Sequence, residues 1–176
     1  MNTIIEMPSF KLVSLEMLKA HLRIENDIED VYLEKVIDMA SDILESKIGK
    51  SISKKKYRYI HIDDVLAIMK KIYLPVQPVM EICSVREITP SSPGKELSFS
   101  KGTDKKGTYI TIRNSKYPVE AQYYAGVANS YEQVPRDVQC AILRIARGIY
   151  EHSSEEMPKS EFVEYVLNSY KDISIS

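Results

Sequence analysis

The spacing of apolar residues changes twice along this chain, and those changes limit the fold more than any single motif does. From Ser14 to Ile48 apolar side chains recur every three or four residues, the period of a helix; between Ser51 and Gly126 they alternate, the period of a strand; from Val134 the helical spacing returns. Strands grouped in one block between helical blocks, with turn residues between them, favour an antiparallel arrangement over parallel βαβ units. The expected fold is therefore α+β. A helical scaffold comprises an N-terminal helix pair and a helix near 134–152, interrupted by an inserted antiparallel β region at about 54–126. A short helix closes the chain within a segment at about 158–172. With 176 residues the chain is long enough for one ordinary domain, expected to span 1–176, and two full domains are not expected.

The stretch VPRDVQCAILRIARGIYEH, Val134 to His152, carries the helical pattern most clearly. Val138, Ala141, Ile142, Ile145, Ala146 and Ile149 fall on one face. Pro135 suits a helix start, where its missing N–H is no loss, and Asp137 favours the positive end of the helix dipole. Arg144 and Arg147 lie off the stripe, towards solvent or a neighbour. Upstream, residues 1–13 read as extended, with Pro8 opposing an early helix. Ser14 is a suitable N-cap for a short helix carrying Leu15, Leu18 and Leu22. A longer helix is expected from Asp27, with Ile28, Val31, Val36, Ile37, Ala40, Ile43, Leu44 and Ile48 facing the core and Gly49 as the stop.

In the middle block, Tyr57, Tyr59 and His61 alternate with Arg58, Ile60 and Ile62, giving one strand, and Leu66 to Leu74 a second. Pro75 and Pro78 interrupt, since neither can donate to a ladder. Strands follow at Ile82 to Ile88, Leu97 to Phe99, Tyr109 to Ile112 and Val119 to Ala125, with a basic turn from Lys101 to Gly107 read as a hairpin tip.

Charge and motifs exclude more than they assign. A net charge of −1 gives no overall reason to expect binding to nucleic acid or membrane. Locally, Glu29, Asp30, Glu34, Asp38, Asp42 and Glu45 make the second helix acidic, whereas Lys50, Lys54, Lys55, Lys56, Arg58, Lys70 and Lys71 make the following stretch basic. Each is a solvated face in the plain reading; the alternative is that acidic and basic faces of adjacent copies meet. No signal peptide or membrane span is apparent, so a cytoplasmic protein is expected. Cys83 and Cys140 form neither a metal-ligand spacing nor a disulfide framework, and buried thiols are expected. The three histidines are scattered. Gly49-Lys50-Ser51 lacks the first glycine and the preceding strand of a phosphate-binding loop. No catalytic constellation emerges, and neither a cofactor nor a metal is expected.

Taken in order, several landmarks carry a resemblance: VSLEMLKAHLRIEND (13–27), SKIGKSI (46–52), LPVQPVMEICSV (74–85), VEAQYYAGVA (119–128), the helix at 134–152, and Tyr170-Lys171. This series resembles the phage head-tail connector (head-completion adaptor) family, in its longer variety with a β insertion. The family's usual tryptophan in the first insertion strand is absent, with Tyr57 or Tyr59 nearby, and its terminal Tyr-Arg is here Tyr170-Lys171.

The resemblance implies a non-enzymatic subunit of a homo-oligomeric ring of about a dozen copies below a portal protein. Such a ring extends the channel for passing DNA without sequence specificity and docks later head-completion or tail proteins. Assembly in the bacterial host cytoplasm and a final place at the virion head-tail junction follow from it, with no membrane involved. Glu34, Asp38, Arg144 and Arg147 are then candidate intersubunit contacts, and Lys101, Lys105 and Lys106 candidates to face DNA or a partner. The competing reading is a nucleic-acid-binding accessory protein using Lys54 to Lys56 and the Lys101 to Lys106 tip.

Overall fold

The computed structural model describes residues 2–62, 69–89, 94–113, 115, 117–151 and 160–171. It is α+β. Strand β1 (Asn2–Glu6) precedes helices α1 (Leu15–Leu22) and α2 (Asp30–Ile48). Strands β2 (Lys55–His61), β3 (Met69–Tyr73), β4 (Val79–Glu87), β5 (Phe99–Asp104), β6 (Gly107–Arg113) and β7 (Val119–Ala125) follow, then α3 (Arg136–Glu151) and α4 (Glu161–Lys171). Two compact units result. One gathers the first residues up to Pro8 with Lys54–Val127; the other gathers Ser9–Ser53 with the described residues from Ala128 on.

The helical unit is built on the expected stripe of α3. Val138, Ala141, Ile142, Ile145 and Ala146 are buried, and they share one core with Leu18 of α1, Leu33, Val36, Ile37, Ala40 and Leu44 of α2, and Val163, Val166 and Leu167 of α4. Local chemistry sets the helix ends. The Ser14 hydroxyl accepts a hydrogen bond from the Met17 amide at 3.2 Å, the N-cap expected of it. Gly49 ends α2 in the left-handed region at φ 73°, where a side chain would strain the backbone.

Helix α2 departs from the sequence expectation at its start. It begins at Asp30, not Asp27, because the Asn26 carboxamide oxygen takes the Ile28 amide at 3.1 Å and the Asp27 carbonyl takes the Asp30 amide, holding the entry as a turn. Ile28 and Val31, expected in the core, are 89% and 74% exposed. Leu33 fills the stripe instead, about 160° around the helix from Val31 at roughly 100° per residue.

The carboxylate of Glu45, in the last turn of α2, is buried and accepts from the amides of Ile52 at 2.7 Å and Ser53 at 3.1 Å and from the Ser53 hydroxyl at 3.4 Å. It thereby holds the chain that leaves the helical unit.

The strand unit has a core of its own. A four-stranded antiparallel sheet in the order β1-β2-β7-β4 and a three-stranded one in the order β3-β6-β5 contribute to it. In β7 every second residue is buried, Val119, Ala121, Tyr123 and Ala125, and these join Tyr57, Val79 and Val85 with Ile72, Ile110 and Ile112 of the smaller sheet and Leu74 just after β3. The rings of Tyr57 and Tyr123 stack at 5.7 Å, so these tyrosines pack the sheet. Burial pushes the Tyr123 hydroxyl pKa well up.

The N-terminal extended segment is more than an arm: residues 2–6 add an edge strand to this sheet. Of the expected second strand, residues 66–68 lie outside the described residues, and β3 starts at Met69. Both cysteines are exposed rather than buried, Cys83 on β4 and Cys140 on the outward side of α3. Each falls on the solvent side of its element's pattern, which a count of cysteines cannot show.

Candidate functional site

The expected contact residues divide between the two units. In the helical unit Glu34 and Asp38, one turn apart on α2, are drawn together by Lys11, whose ammonium lies 3.0 Å from the Asp38 carboxylate and 3.9 Å from that of Glu34. Sequence patterning did not single out Lys11, which lies in the link ahead of α1 and meets α2 only in three dimensions. At the start of α2, Lys19 bridges Asp27 and Asp30, and these hydrogen bonds raise its pKa. The Tyr150 hydroxyl donates to Glu29 at 2.7 Å, which ties the end of α3 to the entry of α2.

Arg144 and Arg147 lie on the exposed side of α3. Arg144 reaches α4: its guanidinium sits 4.6 Å from the centre of the Phe162 ring and donates to the Ser160 hydroxyl at 3.4 Å. Arg147 pairs with Glu151 one turn on, at 2.8 Å. A second tie to α4 runs from Tyr170, whose hydroxyl donates to Asp137 at 3.0 Å in the first turn of α3. Burial, and then the Asp137 carboxylate, push the Tyr170 pKa up to about 12.

In the strand unit the expected basic turn is shorter than its sequence suggests. Strand β5 continues through Lys101 to Asp104, and only Lys105 and Lys106 form the turn. The alternation of Phe99, Lys101 and Thr103 is too polar to mark a strand, and pairing with β6 supplies the order.

Lys101 is tied back, its ammonium donating to the Val79 carbonyl at 3.3 Å. Asp104 takes hydrogen bonds from Lys71, from the Tyr73 hydroxyl at 2.8 Å and from the Lys106 amide at 2.8 Å. These bonds, that of Lys71 foremost, bring its pKa down to about 2, and Asp104 in turn raises that of Lys71. The tip is thus a mixed-charge turn presenting Lys105 and Lys106. Of the other lysines in the basic stretch, Lys54 and Lys56 lie over the Tyr124 ring at 4.3 Å and 5.6 Å.

Among the described residues no group of three or more His, Cys, Asp or Glu side chains is placed to hold a metal ion. No described helix is long and apolar enough to cross a membrane.

Comparison with known proteins agrees with the resemblance read from the sequence. Residues 13–86 match the family described as phage gp6-like head-tail connector protein. No curated protein matches the chain. Among solved structures, the fold is similar to a chain in the neck of an empty GTA particle computed with C6 symmetry, with a TM-score of 0.79 at 16% identity, over 100% of this chain and 97% of that one. A chain of the virion of the native gene transfer agent particle gives a TM-score of 0.76 at 16% identity, again over 100% and 97%. A chain in the neck of the native GTA particle computed with C12 symmetry gives 0.69 at 18% identity, over 99% and 97%. At these identities the likeness is one of fold.

Proposed function

We propose, from its similarity to the phage gp6-like head-tail connector family, that this chain is a connector subunit acting at the junction of head and tail. The observation that carries this reading is the family match across α1, α2, β2, β3 and most of β4, joined to a likeness of fold over the whole chain to proteins in particle necks. Copies of the protein assemble into a ring of about a dozen below the portal, a number taken from the family. The ring extends the channel for DNA and docks later head-completion or tail proteins. The subunit is made in the bacterial host cytoplasm and remains in the finished particle.

Within the ring, Glu34 and Asp38 on one side and Arg144 and Arg147 on the other serve as subunit contacts. Lys105 and Lys106 face the DNA or a partner protein, with Lys101 steadying the strand that carries them. The role is structural, so no cofactor enters it.

A separate nucleic-acid-binding role has less support. Asp104 balances charge at the basic tip, and Lys54, Lys56, Lys71 and Lys101 are all engaged within the chain.

The test is recruitment by the portal. Light scattering on the purified protein across concentration, and then with the purified portal of the same particle, is expected to show multiple copies added per portal. A portal that never recruits more than a single copy would sink the connector reading.

A further inference from the structure

The helical unit carries two exposed faces that differ in both charge and apolar content. On α2 and the turn before it, Ile28 and Val31 project almost fully into solvent and Met39 is 51% exposed. Glu34 and Asp38 lie beside this stripe. Exposed apolar side chains three residues apart at the entry of a helix, rimmed by charge, suit a contact surface. The second face lies on α3 and α4. There the Arg144 guanidinium covers Phe162, Tyr165 one turn further along α4 is 67% exposed, and Arg147 adds a second cation.

Charge decides how two copies use these faces. Packing the α2 face on its own counterpart sets Glu34 and Asp38 against themselves, two carboxylates to the one ammonium of Lys11 that bridges them, and packing the α3–α4 face on its counterpart sets Arg144 against Arg144, Arg147 being paired with Glu151. Like charges held close together oppose both two-fold arrangements. Packing the α2 face of one copy on the α3–α4 face of another sets carboxylates against guanidinium groups and gives each exposed apolar group a partner. That contact is head-to-tail, the kind that closes into a ring when its rotation closes.

We propose that the α2 face of one copy, centred on Ile28 and Val31, docks on the Arg144–Phe162–Tyr165 face of the next. The occupant of each face is thus a second copy of this chain. The proposal rests on the connector reading and specifies the contact that would close its ring.

Charge reversal tests it. One variant carries Glu34→Lys and Asp38→Lys, a second Arg144→Glu and Arg147→Glu, and a third carries all four. Circular dichroism confirms folding, and Val31→Asp, at an exposed position, probes the apolar centre without touching the core. The readout is the number of copies held by purified portal, from light scattering or native mass spectrometry.

Each pair variant alone is expected to lower the ring population at least ten-fold at fixed concentration. The four-fold variant, and an equal mixture of the two pair variants, are expected to restore it, because every contact then again joins opposite charges. Val31→Asp is expected to weaken the ring with the fold intact.

Folded pair variants that assemble like the wild type would overturn the proposal. So would pair variants that lose assembly with no rescue in the four-fold variant or the mixture, which assigns these faces to the portal or another partner. A wild-type protein that forms no ring on the portal refutes the connector reading itself, a result separable from either of these.

Discussion

Replacing Glu45 tests how the helical unit holds the chain that leaves it. The buried carboxylate accepts two backbone amides, of Ile52 at 2.7 Å and Ser53 at 3.1 Å. Alanine removes the acceptor and leaves both N–H groups without it, at about 1–3 kcal/mol for each buried group left unsatisfied. Taking the lower part of that range and adding lost packing, Glu45→Ala is expected to cost about 3 kcal/mol. For a chain of this length that corresponds to a drop in Tm of about 6–12 °C. Glutamine keeps an oxygen in place but loses the charge, and charged hydrogen bonds are about twice as strong as neutral ones. Glu45→Gln is therefore expected to cost about 1 kcal/mol.

Urea unfolding followed by circular dichroism gives the two differences. Amide exchange at Ile52 and Ser53 gives the local effect, with protection lost in Glu45→Ala and largely kept in Glu45→Gln. An alanine variant within about 0.5 kcal/mol of the wild type, with those two amides still protected, would refute the reasoning.

Further outcomes follow from the same geometry. Ile145→Asp places an unpaired charge in the core of the helical unit, where Ile145 is buried. It is expected to abolish cooperative thermal unfolding of that unit, and an unchanged melting curve contradicts the assignment of α3 as its spine. Tyr170→Phe removes the hydrogen bond to Asp137 and is expected to cost about 1 kcal/mol in urea unfolding.

The raised Tyr170 pKa also has a pH signature. Its contribution is fully present below the ordinary tyrosine value and is lost as pH rises through about 12, so absorbance at alkaline pH should show one late-titrating tyrosine missing from Tyr170→Phe. Asp104 behaves in the opposite sense. With its pKa down at about 2, its contribution to the β5–β6 hairpin is present above the ordinary aspartate value and is lost as pH falls towards 2. Carboxyl NMR titration should find Asp104 ionised to well below the ordinary aspartate value, and Lys71→Ala should return it towards that value.

The α+β class and most elements were legible in the sequence because they rest on periodicity. The stripe of α3, the Ser14 cap, the Gly49 stop and the strict alternation of β7 are each written in neighbouring residues. What was not legible depends on contacts between residues far apart in the chain. The edge strand β1 is ordered by pairing with β2, and β5 by pairing with β6, although neither has an apolar alternation of its own. Ile28 and Val31 fit a helical face in the sequence, but the turn at Asn26 starts the helix later and leaves them outside. Lys11 and Glu45 carry no periodic signal, since their partners lie in separate segments. The same holds for the contact residues: Arg144 stands out by lying off the apolar stripe, yet its seat over Phe162 is visible only once α4 is folded against α3.

The most direct measurement is a symmetry-resolved electron-microscopy reconstruction of the neck of particles that encode this chain, compared with particles made without it. A connector subunit predicts repeated copies of this fold around the DNA channel between portal and tail, and no attached tails when the chain is absent. Particles whose neck lacks this fold, or whose tails attach normally without the chain, would contradict the assignment.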